Sequence, residues 1–184
     1  MNGGDMSDPI QRGNFHVLTG GPGAGKTSLI HALAARGFAT VPESGRAIIM
    51  ELNTNSHGVD PVSFAAACTR RDIANYDAAP LNGSVFFDHS CAGAAGYGRM
   101  GRFEMDADLL HEARRRRFNR LVFAAPPWRE IYVNDEQRRQ TWDEALRVHE
   151  VVRAVYLEGG YEIVELPKDG VEVRVRFVLE RIGA

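Results

Sequence analysis

Residues 20–27 (GGPGAGKT) fit the pattern GxxxxGK(S/T), whose glycines let backbone N–H groups turn toward a bound phosphate chain. In such a loop the Lys26 ammonium reaches the β- and γ-phosphates of a nucleotide, and the Thr27 hydroxyl holds Mg²⁺. A glycine-rich turn without a ligand is the alternative, but the apolar run before the loop and the helical spacing after it favour a nucleotide site. The expected nucleotide contacts are Gly21, Pro22, Gly23, Ala24, Gly25, Lys26, Thr27 and Ser28.

A carboxylate and a histidine follow the apolar run of residues 85–87. Asp88 stands where phosphate-loop proteins hold Mg²⁺ through a bound water, and its alternative role is to cap the next segment. ATPases that do mechanical work usually carry an acidic residue at the next position to activate water. Here that position is His89, which argues against a motor ATPase and is expected to contact the substrate. No DxxG and no correctly spaced NKxD occurs, so a regulatory GTPase is also disfavoured.

Glu43 directly follows the second apolar run and precedes Arg46 by three residues. Because the carboxyl ends of parallel strands face the ligand crevice, we expect Glu43 in the same cleft as the phosphate loop. There it would accept the proton of an attacking hydroxyl or hold Mg²⁺ through water. Arg46 would contact a phosphate or pair with Glu43. An exposed carboxylate and a surface arginine are the alternative to these substrate contacts.

Residues 126–140 form a polar segment between a strand and a capped helix, and we expect them to act as a lid. Arg138 and Arg139 would then close over the transferring phosphoryl group and neutralise its charge, whereas a solvated loop is the alternative. Lys168 follows the fifth apolar run, on a loop that passes beside the base in phosphate-loop kinases. Its aliphatic stem would cover the base, with a plain surface lysine as the alternative.

Five apolar runs and the helical patterns between them must position these groups. The runs are residues 15–19, 38–41, 85–87, 121–125 and 161–166. Helices are predicted from the phosphate loop to Gly37, over residues 60–77, 106–118 and 171–182, and from Thr141 to the glycines at 159 and 160. Residues 91–101 form a glycine-rich connection. The alternation predicts a three-layer α/β phosphate-loop NTPase fold, with a five-stranded, mostly parallel sheet and helices on both faces.

The chain has 184 residues, 44% of them hydrophobic and 25% charged, with a net charge of −2. These values fit a single domain, taken as residues 14–184 after a flexible tail of residues 1–13, and disfavour a disordered or polybasic chain. Cys68 and Cys91 form no CxxC motif and suit a reducing cytoplasm. With no signal peptide or membrane segment, we expect a cytoplasmic protein. The arginines at 114–117 lie near a helix C-terminus and should mostly face solvent, so nucleic-acid binding is disfavoured.

The phosphate loop, Glu43, Asp88 and the RRQTW stretch at residues 138–142 together resemble a known family. The chain is similar to the AAA-type ATPase family related to the nicotinamide riboside kinase domain of NAD regulators, and more distantly to deoxynucleoside kinases. The resemblance covers about residues 15–179 and implies the small-kinase fold with sheet order 2-3-1-4-5. It also implies that Glu43 acts near the acceptor and that the arginines at 138 and 139 belong to a lid. These relatives carry arginine after the strand aspartate, so His89 implies a weaker, pH-dependent or differently specific activity.

These residues predict an ATP- and Mg²⁺-dependent kinase of a small hydroxyl-bearing molecule, with a nucleoside-like acceptor as one candidate. Its expected catalytic residues are Lys26, Glu43, Arg138 and Arg139. GTP in place of ATP stays open, as does the oligomeric state. The alternative is a nucleotide-binding ATPase or regulatory switch that acts through a protein partner with little turnover. A nucleic-acid end kinase that uses the arginine-rich helix is a third, less favoured hypothesis.

Overall fold

The computed structural model describes residues 8–51, 60–132 and 141–184. Its elements are β1 (Ile10–Gln11), β2 (Phe15–Gly20), α1 (Lys26–Ala34), β3 (Ala39–Val41), α2 (Ser44–Glu51), α3 (Pro61–Ala78), β4 (Val85–Asp88), α4 (Ala95–Gly101), α5 (Ala107–Arg115), β5 (Arg116–Arg117), β6 (Leu121–Ala125), α6 (Trp142–Glu158), β7 (Glu162–Glu165) and α7 (Val171–Ile182). Short 3-10 helices occupy Cys91–Gly93 and Arg129–Ile131. Within the described ranges, no helix has the length and apolar character needed to cross a bilayer.

A five-stranded parallel sheet forms the centre of the fold, in the order β3-β4-β2-β6-β7. Counted along this sheet alone, that is the predicted order 2-3-1-4-5, and the predicted fold class is confirmed. The middle strand β2 is buried over its whole length and pairs with β4 and β6, so that Val17 lies opposite Phe87 and Val122. Because all pairings in this sheet are parallel, the carboxyl ends of its strands meet at one edge.

Side chains alternate between the two faces of the sheet, and each face has its own apolar core. The core under α3 and α6 includes Phe15, Val17, Tyr76, Phe87, Phe118 and Tyr156. The core under α1 and α7 includes Leu18, Leu29, Leu33, Phe86, Phe123 and Val178. The three layers predicted from the alternation of strands and helices are therefore present.

Two predicted helix starts have the expected capping geometry. The Asp60 carboxylate accepts a hydrogen bond from the Ser63 amide at 2.8 Å, one residue before α3 begins. At α6, Thr141 and Glu144 form both halves of a capping box. These caps fix where each helix begins, and the residue types alone predicted them.

The N-terminal tail is shorter than predicted. Strand β1 pairs in parallel with β5, and the Tyr76 hydroxyl lies 2.7 Å from the Ile10 carbonyl oxygen and 2.9 Å from that of Arg117. The Arg12 guanidinium lies 4.6 Å from the centre of the Tyr76 ring. The prediction of a flexible tail through residue 13 is therefore wrong for residues 10–13, because these contacts compensate the cost of ordering them. Residues 1–7 lie outside the described ranges.

The arginine run also differs from the prediction. Helix α5 ends at Arg115, and Arg116 leaves it in an extended conformation to enter β5. Arg116 is only 9% exposed and pairs with Asp77 at 2.6 Å and with Glu112 at 3.1 Å. Most of the run is predicted to face solvent, and Arg116 is an exception, since two carboxylates from α3 and α5 stabilise its charge below the surface.

Two helices arise where the sequence predicted none. Helix α2 begins with Ser44 and Gly45, and α4 contains three glycines, so both have poor intrinsic helix propensity. Packing overrides this weakness: α2 lies against α3, and α4 lies against α3 and α6. A carbon atom added at Gly98 would lie 2.7 Å from the Phe103 carbonyl oxygen, so glycine permits a close approach of the chain there.

Candidate active site

The phosphate loop joins the buried end of β2 to the first turn of α1. Lys26 opens that helix and is 5% exposed. Its ammonium donates to the carbonyl oxygens of Gly20 at 3.0 Å and Gly21 at 2.8 Å, which places Nζ over the loop. Gly25 is the N-cap of α1 with a φ of 79°, and no side chain of the described residues caps this helix. The first amides of α1 can therefore direct their partial positive charge at an anion.

Tyr132 covers the phosphate loop. Gly23 has a φ of +71°, and a carbon atom added there would lie 2.7 Å from the Tyr132 ring, so both backbone and space require glycine. Tyr132 packs edge to face on Trp142, with 5.2 Å between ring centroids. The first residues of the predicted lid thus lie against the loop. Arg138 and Arg139 lie outside the described residues, so their role in a lid stays a prediction.

Thr27 and Asp88 meet beside the loop. The Thr27 Oγ1 atom is 3.5 Å from Asp88 Oδ2. Asp88 is 4% exposed, and its Oδ1 atom is buried without a hydrogen-bond partner among the described residues. The following 3-10 helix has Ser90 at its N-cap, so Asp88 does not cap it. A hydroxyl beside a carboxylate with an unpartnered oxygen suits Mg²⁺, which combines such ligands with water and phosphate oxygens.

One cavity of about 320 Å³ opens from the phosphate loop and contains the three predicted substrate residues, Glu43, Arg46 and His89. Glu43 immediately precedes α2, and the Arg46 Nε atom, one turn later, lies 3.8 Å from Glu43 Oε2. His89 has a φ of 70°, which is uncommon outside glycine, and its amide donates to the Leu18 carbonyl at 3.0 Å. This bend directly after β4 places His89 at the cavity wall. The structure thus brings together residues from three separate strand ends.

The same cavity has a second carboxylate that sequence reasoning missed. Asp72 of α3 is 8% exposed and accepts a hydrogen bond from the Ser44 hydroxyl, to which Asn75 donates at 3.3 Å. Burial is the main cause that raises the pKa of Asp72 to about 7; the negative charge of Glu43 acts in the same direction, and the Ser44 hydrogen bond opposes them. Phe64 and Asp72 are eight residues apart on one face of α3, so a carboxylate on a buried face was the available signal.

Aromatic and apolar side chains also line this cavity. Phe64 of α3 and Tyr97 of α4 line it, together with Met100 and Val152. The rings of Phe64 and Tyr97 meet edge to face, with 6.4 Å between their centroids. Burial raises the pKa of Tyr97 well above its ordinary range, so this phenol is a neutral wall group. The cavity therefore offers an apolar surface and two carboxylates to a small molecule.

The phosphate loop also lines a second cavity, of about 510 Å³. The loop from Gly23 to Ser28 lines it, as do Trp128, Asp169 and Arg174. Lys168 is exposed beside Asp169 on the loop after β7, and nothing in its position tests the predicted contact with the base. Lys26 and Arg46 line both cavities, so the two spaces meet at these two cations.

Arg174 fixes the walls of this second cavity. It is 2% exposed, donates from Nη1 to the Ala24 carbonyl at 2.8 Å and from Nε to the Pro167 carbonyl at 2.9 Å. Its guanidinium also lies 4.9 Å from the centre of the Trp128 ring. One buried cation therefore ties together the phosphate loop, the loop after β7 and the start of the predicted lid. Sequence patterns gave no sign of this role.

Comparisons with known proteins agree with this geometry. The sequence matches the AAA domain family over residues 15–174. Comparison with curated protein sequences finds no match. Among solved structures, the chain is similar to NadR protein in complex with NR, with a TM-score of 0.69 and 21% identity over 92% of this chain and 52% of that chain. The chain thus spans about half the length of NadR.

Two further solved structures are similar over nearly their whole length. Thymidylate kinase from Ehrlichia chaffeensis has a TM-score of 0.63 and 14% identity, over 91% of this chain and 97% of that one. Deoxyadenosine kinase from M. mycoides with bound dATP has a TM-score of 0.63 and 9% identity, over 92% and 99%. At these identities the likeness establishes a shared fold. The enzyme class expected from the sequence, a phosphate-loop phosphotransferase or ATPase, agrees with these neighbours, and the resemblance stated above is confirmed. With the match covering most of its length, the chain belongs to the AAA domain family.

Proposed function

We propose that this protein is an ATP- and Mg²⁺-dependent kinase that transfers the γ-phosphoryl group to a hydroxyl of a small molecule. The observation that carries this proposal is the meeting of two cavities at Lys26 and Arg46. One cavity contains the phosphate loop, and the other contains carboxylates and an apolar wall. Two substrates, one in each cavity, would meet at these cations, which is the arrangement that phosphoryl transfer requires.

On the donor side, the loop amides and Lys26 would bind the β- and γ-phosphates. Thr27 and Asp88 would hold Mg²⁺, which when bound neutralises phosphate charge and orients the phosphate chain. The base would lie in the second cavity, near Trp128 and Asp169. The triphosphates bound by similar folds, such as dATP in deoxyadenosine kinase, support an adenine nucleotide as the first candidate.

On the acceptor side, Glu43 would orient the attacking hydroxyl and accept its proton, because it lies in the cavity next to the phosphate loop. Arg46 would neutralise charge on the transferring group. His89 would contact the acceptor from the end of β4. Arg138 and Arg139 would close over the phosphates as lid arginines. The similar fold of deoxyadenosine kinase supports an acceptor hydroxyl rather than water.

Mass spectrometry tests this proposal on the wild-type protein. Incubation with Mg·ATP and a metabolite extract is expected to yield a new small molecule heavier by one phosphate. Lys26→Ala is expected to abolish both the product and phosphate-dependent ATP binding. If ATP binds tightly but no phosphorylated product forms, the kinase proposal is wrong and a nucleotide-dependent switch is favoured instead.

A further inference from the structure

We propose that Asp72 selects the acceptor by charge, so that the acceptor is an uncharged or cationic small molecule and not a phosphate ester or carboxylate. This inference rests on the proposed kinase function, because it concerns the acceptor cavity of the same site. It is carried by which charged groups line that cavity. Nothing in the phosphate loop or in Glu43 requires it.

A lysine and an arginine are among the described residues that line the acceptor cavity. Lys26 and Arg46 line it where it meets the phosphate loop, and both also line the donor cavity. They are thus placed to act on the triphosphate. The cavity is also lined by Asp72, Glu43 and apolar groups such as Phe64 and Tyr97, and among its described lining residues there is no further lysine or arginine.

Two arginines on α3 and α4 are held by carboxylates at the surface. Arg71, next to Asp72 on α3, donates to both carboxylate oxygens of Glu51, at 2.9 and 2.6 Å. Arg99, two residues from Tyr97 on α4, pairs with Glu158 at the exposed end of α6. Neither arginine lines the cavity, because each is held by a carboxylate outside it. An anionic acceptor in this cavity would therefore contact neither of these arginines.

The surroundings of Asp72 already oppose a negative charge. Its pKa is raised to about 7 by burial and, secondarily, by the negative charge of Glu43. A second anion in the same space would have to lose its hydration and would be repelled by both carboxylates. An N–H or O–H donor, or a cation, would instead satisfy the Asp72 carboxylate and favour its ionised form. The cavity volume of about 320 Å³ suits a molecule of one or two rings.

Ion-exchange fractionation of candidate acceptors distinguishes an uncharged or cationic acceptor from an anionic one. A metabolite extract is passed over an anion-exchange column at neutral pH, and transfer of label from γ-³²P-ATP by the wild-type protein is measured with each fraction. We expect transfer with the unretained fraction, which holds uncharged and cationic molecules. Transfer only with the retained, anionic fraction would overturn the charge assignment while leaving the kinase function intact.

Asp72→Asn tests the residue itself. This variant keeps an oxygen that can accept from Ser44, and it is expected to raise the KM of the unretained acceptor about tenfold or more while leaving the KM of ATP within about twofold. Asp77→Asn is the matched control, since Asp77 lies on the same helix and pairs with Arg116 away from the cavity. Unchanged acceptor KM in Asp72→Asn would remove Asp72 from this role.

The absence of transfer with either fraction would separate this inference from the proposed function. If neither fraction supports transfer, the kinase function fails, and equilibrium dialysis of the protein against each fraction then decides the charge claim. Binding of a molecule from the unretained fraction to the protein supports the claim. If the protein binds an anionic molecule instead, or binds no molecule from either fraction, the claim is wrong.

Discussion

The Nε atom of Arg46 lies 3.8 Å from Oε2 of Glu43, and the two residues are one helical turn apart where α2 begins. Arg46 lines both cavities, while Glu43 lines only the acceptor cavity. A cation at this junction can neutralise charge that develops on a phosphoryl group as it moves toward the carboxylate. The unpredicted helix α2 thus sets the spacing between a base and a phosphate ligand.

Replacing Glu43 tests its role as the base. Glu43→Gln keeps the shape of the side chain but cannot accept a proton, so kcat is expected to fall about 10²- to 10⁴-fold. The affinity for Mg·ATP, measured by calorimetry, should stay unchanged. Glu51→Gln is the matched control, because Glu51 lies on the same helix and pairs with Arg71 at the surface. Equal kcat values for Glu43→Gln and the wild type would show that another group receives the proton.

The magnesium requirement should depend on Thr27 and Asp88. Asp88→Asn and Thr27→Ala are each expected to raise the Mg²⁺ concentration for half-maximal activity about tenfold or more. Thr27→Ser keeps the hydroxyl and should behave like the wild type. A magnesium titration of the activity at saturating ATP measures this half-maximal Mg²⁺ concentration. If Thr27→Ala matches the wild type, the hydroxyl is not a ligand.

Asp72 should make the stability of the protein depend on pH. Its pKa is about 7 in the folded protein against an ordinary value of 3.8. The folded state therefore holds a proton that the unfolded chain has lost, so this contribution to stability is fully present below about pH 4 and is lost as the pH rises to about 7. The free energy of unfolding of Asp72→Asn minus that of the wild type should then increase by roughly 1.4 kcal/mol per pH unit between pH 5 and pH 7. Above pH 7 this difference should level off.

Urea unfolding of both proteins at pH 5, 6, 7 and 8 measures this difference. Burial lowers the pKa of His16 to about 4, which has the opposite effect on stability, but His16 is present in both proteins and cancels in the comparison. Parallel stability curves for wild type and variant would show that Asp72 titrates in its ordinary range.

Arg174 should control nucleotide affinity without touching the acceptor. Arg174→Met removes the hydrogen bonds to Ala24 and Pro167, so the affinity for Mg·ATP is expected to fall about tenfold and the free energy of unfolding by about 2 kcal/mol. The Trp128 emission should also shift as its cation neighbour is lost. Arg176→Met, on the exposed face of the same helix, should change neither quantity. Wild-type ATP affinity in Arg174→Met would contradict this role.

The sequence was informative where one short segment contains the whole signal. The phosphate loop, the Asp60 cap and the capping box of Thr141 and Glu144 depend on neighbours within eight residues, and the structure contains each of them. Glu43 and His89 line the same cavity as Lys26, because parallel strands bring their carboxyl ends to one edge, while their roles there stay predictions.

The residues that were missed depend on tertiary contacts. Asp72 faces the cavity only because the unpredicted α2 brings Ser44 against α3, and Tyr97 does so only because packing makes a helix of a glycine-rich segment. The buried position of Arg116 depends on Asp77 of α3, which is 39 residues away in the chain, as well as on Glu112 four residues before it. Helix propensity and local pattern carry no information on such partners.

The most direct measurement for the central claim is the position of the γ-phosphorus in a crystal structure with a non-hydrolysable ATP analogue and Mg²⁺. The two-cavity account predicts that this atom lies at the junction between Lys26 and Arg46, with its open face toward Glu43. A γ-phosphate that points away from the acceptor cavity, or a base bound in the cavity of Glu43 and Asp72, would contradict it.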